Sequence, residues 1–184
     1  MRKSGVLSTT IFLSVILAGT YGILHDQVTA SISEEYFTQF KFPQFRLGPD
    51  TGFRTGVSLI GFYASWWVGA LIGIILGFIG MLLYPDHTSM RRALRRSLLI
   101  VLVTTLLFSI GGYCYGSYYL AGHGVSWWMP DNLRDKVSFI VTGAIHNASY
   151  SGGLFGLLLA VLYLFRSGCR SRHARERRTA EVLS

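Results

Sequence analysis

Three histidines and one aspartate occupy positions where ionisable side chains are costly. His25-Asp26 closes one long apolar run, His123 closes another, and His146-Asn147 lies inside a third, with Tyr150 one helical turn further on. Ionisable groups in such runs mark functional sites by default. Three imidazoles on the inward faces of three helices suit a metal ion, and two of them suit the axial positions of a haem. With Asp26, Asn147 and Tyr150 the same set suits a proton or polar-solute path. The plainer alternative is structural. A membrane histidine bonded to a carbonyl, hydroxyl or carboxylate acts as glue between helices, worth roughly 0.6–2 kcal/mol. Structural pairing, with no cofactor, is the leading expectation. No HExxH, Walker, Cys-rich or nucleophile-elbow pattern is present, so an enzyme is the less favoured class.

The elements that must position these residues are apolar helices. Of 184 residues, 51% are hydrophobic and only 14% charged, and the mean hydropathy is +0.41. These values lie on the membrane side of soluble-domain averages. Four stretches, 6–24, 57–84, 98–121 and 137–165, are each long enough to cross a hydrocarbon core of roughly 30 Å. In lipid the backbone polar groups must pair within the segment, so the expected fold is all-α, a four-helix transmembrane bundle over 1–166. The fourth span is long enough to place His146 either level with His25 or well below it. Residues 167–184 form a basic tail expected to be mobile.

The net charge of +8 is distributed as topology requires and not as a nucleic-acid face. Arg2, Lys3, the four arginines of the 85–97 loop and the six from Arg166 to Arg178 total twelve. Loops 25–56 and 122–136 hold five basic residues against six acids. The positive-inside rule then sets both termini and the 85–97 loop in the cytoplasm, with the other two loops outside. The lipid bilayer is the expected partner, and nucleic acid is not. The first span reads as a retained signal anchor. Val28-Thr29-Ala30 keeps cleavage before Ser31 open as the alternative. Cys114 and Cys169 fall on opposite sides in this topology, too far apart for a disulfide.

The outer loops carry their own signals. Ser31 to Glu34 has capping-box spacing and opens a short helix, followed by Phe37, Phe40, Phe42 and Phe45. That aromatic segment is expected to lie in the membrane interface. Pro49 to Gly52 reads as a turn. Trp127 and Trp128 suit an interfacial belt, and Pro130-Asp131 an opening for the fourth helix. At 100° per residue, small and polar side chains share one face of each span. Ser14, Ala18 and Gly22 mark that face in the first span, with Tyr21 and His25. Ser65, Gly69, Gly73 and Gly77 mark it in the second. Such rows permit close backbone approach, within one chain or against a second copy.

The segments Gly22-Ile23-Leu24-His25-Asp26-Gln27, Glu35-Tyr36-Phe37-Thr38 with Lys41-Phe42, and His146-Asn147-Ala148-Ser149-Tyr150 resemble uncharacterised bacterial multi-spanning membrane proteins. The resemblance implies a bacterial inner-membrane setting and a retained first helix, and it carries over no catalytic residues. The leading functional expectation is a non-enzymatic assembly or accessory subunit, zipped by glycine faces and offering its aromatic loop to a membrane-protein partner or a second copy. A small transporter or channel-like element is the alternative. A metal- or haem-binding redox protein is the second alternative.

Overall fold

The computed structural model of the chain describes residues 2–48 and 50–183, with side chains as far as Cys169. Long apolar sequences form α1 (Lys3–Ile32), α3 (Phe53–Leu83), α4 (His87–Tyr115) and α6 (Lys136–Leu183). The first loop folds into a π-helical segment, π1 (Tyr36–Lys41), and a single turn, α2 (Phe42–Gln44). A second π-helical segment, π2 (Gly116–Leu120), and a short turn, α5 (Ala121–His123), prolong α4. No strand occurs among the described residues. Four helices are long and apolar enough to cross a membrane, and the protein is an all-α, multi-pass membrane bundle.

The helices outrun the apolar stretches that announce them. At 1.5 Å per residue a 30-residue helix such as α1 is about 45 Å long, against a core of roughly 30 Å. Hydropathy marks only the lipid-bathed middle, and the starts of α4 and α6 are set by side-chain caps. Asp86 Oδ1 accepts the backbone N–H groups of Thr88 and Ser89, both at 2.9 Å, so α4 starts eleven residues ahead of the apolar run at Leu98. Asp135 Oδ1 accepts from Ser138 N–H at 2.9 Å and starts α6, a role expected of Pro130-Asp131. Ser33, not Ser31, opens the loop helix, its hydroxyl accepting from Tyr36 N–H at 3.2 Å, because α1 runs on to Ile32. In the 49–52 turn Pro49 lies outside the described residues, and Thr51 N–H donates to Gly48 O at 3.1 Å. The expected mobile tail continues α6 to Leu183, and its side chains from Arg170 onward lie outside the described residues.

The bundle is assembled from two antiparallel pairs, α1 with α3 and α4 with α6. Glycine decides both. A Cβ on Gly22 would collide with Gly61 O and Ser65 Oγ, and one on Gly61 with Gly22 O. Gly69 faces the Ser14 carbonyl and the Ala18 methyl, Gly73 faces Ile11 and Ser14, and Gly77 faces Leu7. Ser65 Oγ donates to Gly61 O on its own helix. The row from Ser65 to Gly77 therefore packs within the chain, against α1. In the second pair Gly112 meets Ala144 and Ala148, Gly152 meets Phe108, and Gly156 meets Val101.

The pairs join around two apolar cores. At the end carrying the termini and the 84–86 turn (the terminal end), Val6, Leu76, Met90, Leu94 and Leu164 are buried. At the opposite end (the loop end), Tyr36, Phe37, Val57, Ile60 and Phe139 are buried. The aromatic segment was expected in the membrane interface, but the chain turns it inward. Phe37 is 0% exposed, and Phe40, Phe42 and Phe45 pack against the same core. Burying these rings against α3 and α6 removes more apolar area than lying flat on a surface would. Of the two loop tryptophans, Trp128 remains exposed, while Trp127 lies against Gly143.

Candidate site at the loop end

Because α1 continues past Leu24, His25 and Asp26 lie inside a helix and not at its end. Asp26 is buried, at 4% exposure, and α6 delivers His146 to the same level, also at 4%. His146 Nε2 lies 3.9 Å from Asp26 Oδ1 and 3.3 Å from Thr29 Oγ1. The His25 and His146 rings meet edge to face at 4.9 Å between centroids. One ligand atom from each of His25, Asp26 and His146 lies within 4.8 Å of the other two.

The surroundings orient the cluster. Tyr21 OH lies 3.2 Å from His25 Nδ1 and 2.9 Å from both Ser109 Oγ on α4 and Ser149 Oγ on α6. This hydroxyl links three helices and engages one nitrogen of His25. The other, Nε2, is buried with no hydrogen-bond partner. Tyr36 of π1 stacks on the His146 ring at 4.9 Å and 26°, and Phe37 lies 6.1 Å from it. Beside them Lys41 is 8% exposed, its amine 5.0 Å from the centre of the Phe40 ring and 3.2 Å from Gln44 Oε1. Burial pushes the Lys41 amine below its ordinary value, and the nearby Asp26 carboxylate partly opposes that shift. π1 is held down by Glu35, whose carboxylate accepts the backbone N–H groups of Arg134 at 3.0 and 3.1 Å and Asp135 at 2.9 Å. Those bonds, Arg134 first and then Asp135, hold the Glu35 carboxyl below the usual range.

Of the candidates named by sequence, His25, Asp26 and His146 come together, and the Tyr150 ring stands 6.4 Å from that of His146. Asn147 does not join them. It is exposed and lines a groove on the other side of α6, with Trp127 and Tyr115, since adjacent helical residues diverge by about 100°. His123 does not join them either. π2 shifts the phase of the chain after α4, and His123 ends exposed, stacked on Tyr119 at 4.2 Å. Tyr21, Thr29, Tyr36 and Lys41 complete the site. The polar stripe on α1, extended one turn beyond His25, reaches Thr29. No periodicity could have located Tyr36 and Lys41, which arrive on the loop.

Two imidazoles and a carboxylate are a first-row transition-metal donor set. Three ligands at roughly 2.0–2.2 Å from one ion lie about 3.3–3.8 Å apart, so donors spread over as much as 4.8 Å must close by about an ångström to share it. The unpartnered His25 Nε2 supplies a donor, and Tyr21 on Nδ1 is the outer-shell contact such ligands ordinarily have. A bis-histidine haem does not fit. The two rings already touch edge to face, and Tyr36 covers His146, leaving no gap for a porphyrin between them. Comparison with protein-family models, curated proteins and solved structures finds no match to this chain.

Proposed function

We propose that this chain is a metal-binding protein of the bacterial inner membrane, holding one divalent transition-metal ion at the loop end through His25, Asp26 and His146. The observation that carries the reading is the approach of these three donors to within 4.8 Å in a buried setting, with His25 Nε2 lacking any other partner. Three protein ligands leave a coordination position for water or another oxygen ligand, the arrangement found where a metal does chemistry and not merely structural work. Tyr21 orients His25, Tyr36 and Phe37 shield His146 from the aqueous side, and Lys41 supplies positive charge near Asp26.

The accessory-subunit reading draws on glycine faces and an aromatic loop offered outward. In the bundle both are spent internally, which favours the metal reading. A polar path through Asn147 draws on a residue that faces the opposite groove. The basic-residue asymmetry supports both termini in the cytoplasm and the site at the outer face. Retention of α1 is part of the reading, since cleavage before Ser31 would remove His25 and Asp26.

The test is purification of the full chain in mild detergent without chelators, followed by elemental analysis and metal titration. The expected result is near-stoichiometric zinc, iron, manganese or copper in the wild type and its loss in His146→Ala. Equal, weak metal binding by wild type and variant would sink the reading.

A further inference from the structure

We propose that the terminal-end turns of α4 bind an anionic phospholipid, its phosphate held by the guanidinium groups of Arg91, Arg92, Arg95 and Arg96. All four side chains are exposed. At 100° per residue they occupy a sector of about 140°, opposite the buried side chains Met90, Leu94 and Ser97. The same sector continues toward the loop end as Leu99, Val103 and Leu107, all exposed. One face of α4 is therefore basic for two turns and then apolar. Arg91 to Arg96 rise about 7.5 Å along the axis, against roughly 5–8 Å for the head-group layer on one side of a bilayer. The apolar continuation then lies at the depth of the acyl chains.

The charge of this face is uncompensated. Asp86 is the one acid among the described side chains at the terminal end, and its carboxylate is engaged by Thr88 and Ser89. No described carboxylate pairs with any of the four arginines. Arg91 with Arg95, and Arg92 with Arg96, stand four residues apart, a like-charge spacing that works against the helix until an anion sits between them. Arg96 also meets the Tyr163 hydroxyl of α6, which fixes its guanidinium at the edge of the bundle. The positive-inside rule accounts for how many basic residues lie at this end, but not for their sharing the lipid-facing sector of one helix. Guanidinium forks take phosphate oxygens in pairs. A zwitterionic head brings its own cation, which the same field repels, so a net negative head is selected. A free phosphate ion would leave Leu99 and Val103 uncovered, whereas a lipid lays its chains along them. The site lies at the opposite end of the bundle from the proposed metal centre, shares no residue with it and is tested without metal.

The experiment is native mass spectrometry of the full chain, released from neutral-detergent micelles that carry increasing, equal amounts of phosphatidylglycerol and phosphatidylcholine. The retained lipid is expected to be phosphatidylglycerol. Arg92→Gln with Arg96→Gln is expected to weaken its retention about thirtyfold, and so is Arg91→Gln with Arg95→Gln. Arg175→Gln with Arg177→Gln removes equal charge from the tail and is expected to leave retention near the wild-type level. A thermal melt checks that each variant folds, and either α4 pair alone decides the matter. Equal retention of the two lipids, an equal loss in the tail variant, or displacement of the lipid by equimolar inorganic phosphate or short single-stranded RNA would each overturn the proposal.

Discussion

His146 Nε2 on α6 lies 3.9 Å from Asp26 Oδ1 on α1, across the junction between the two helix pairs. The distance is too long for a good hydrogen bond and short enough for an ion to bridge. Asp26→Asn keeps the volume and removes the anionic donor. It is expected to abolish high-affinity metal binding while the bundle still forms, with titration calorimetry and circular dichroism as the two measurements. Retained affinity would exclude the carboxylate as a ligand.

Tyr21 contacts His25 without belonging to the donor set. Tyr21→Phe is expected to weaken metal affinity about 10–100-fold, the usual effect of removing an outer-shell partner. Because the hydroxyl also reaches Ser109 and Ser149, a thermal melt must accompany the titration. Loss of stability with unchanged affinity would assign Tyr21 to helix packing alone.

Gly22 and Gly61 let the α1 and α3 backbones touch. Gly61→Val places carbons where Gly22 and Ile23 backbone atoms already lie. Overpacking on that scale is expected to cost roughly 1–3 kcal/mol or more. Gly111→Val, at a position with open space beside it, is the control. Equal melting temperatures for the two variants would contradict the packing described.

Phe37 fills the loop-end core. Phe37→Ala is expected to destabilise by about 3–5 kcal/mol, whereas Trp128→Ala, at an exposed side chain, changes little. Denaturant unfolding in detergent separates them. A small effect at Phe37 would mean that the aromatic segment lies at the interface after all.

Glu35 ties π1 to the entry of α6, and the bonds it accepts lower its pKa. A carboxyl with a depressed folded value stabilises this contact fully above its ordinary value of 4.5, and the contribution is lost as pH falls through the folded value. In an NMR titration the Arg134 amide shift is expected to inflect below pH 4.5, and Glu35→Gln should flatten the curve. An inflection at or above 4.5 in the wild type would show that the latch does not form.

Orientation can be read from reporter fusions. Alkaline phosphatase inserted after Asp131 is expected to be active and after His87 inactive. The reverse pattern would place the site on the cytoplasmic side.

The number of spans, their helical form and the small-residue faces were legible in the sequence because each depends on local sums. Twenty apolar residues without charge cross a bilayer wherever they occur, and a four-residue glycine spacing makes one flat stripe on any helix. The helix ends were less legible, since α1 and α4 extend through polar residues that hydropathy does not mark. The site was half legible. His25, Asp26 and His146 were identifiable as costly residues, but their meeting depends on the relative height and rotation of α1 and α6, which no single helix encodes. The tertiary arrangement brought His146 level with Asp26 and Thr29, turned Asn147 away by the pitch of the same helix, and displaced His123 through π2. It also drew Tyr36 and Lys41 inward, because the loop buries its aromatic rings most fully by folding over the end of the bundle.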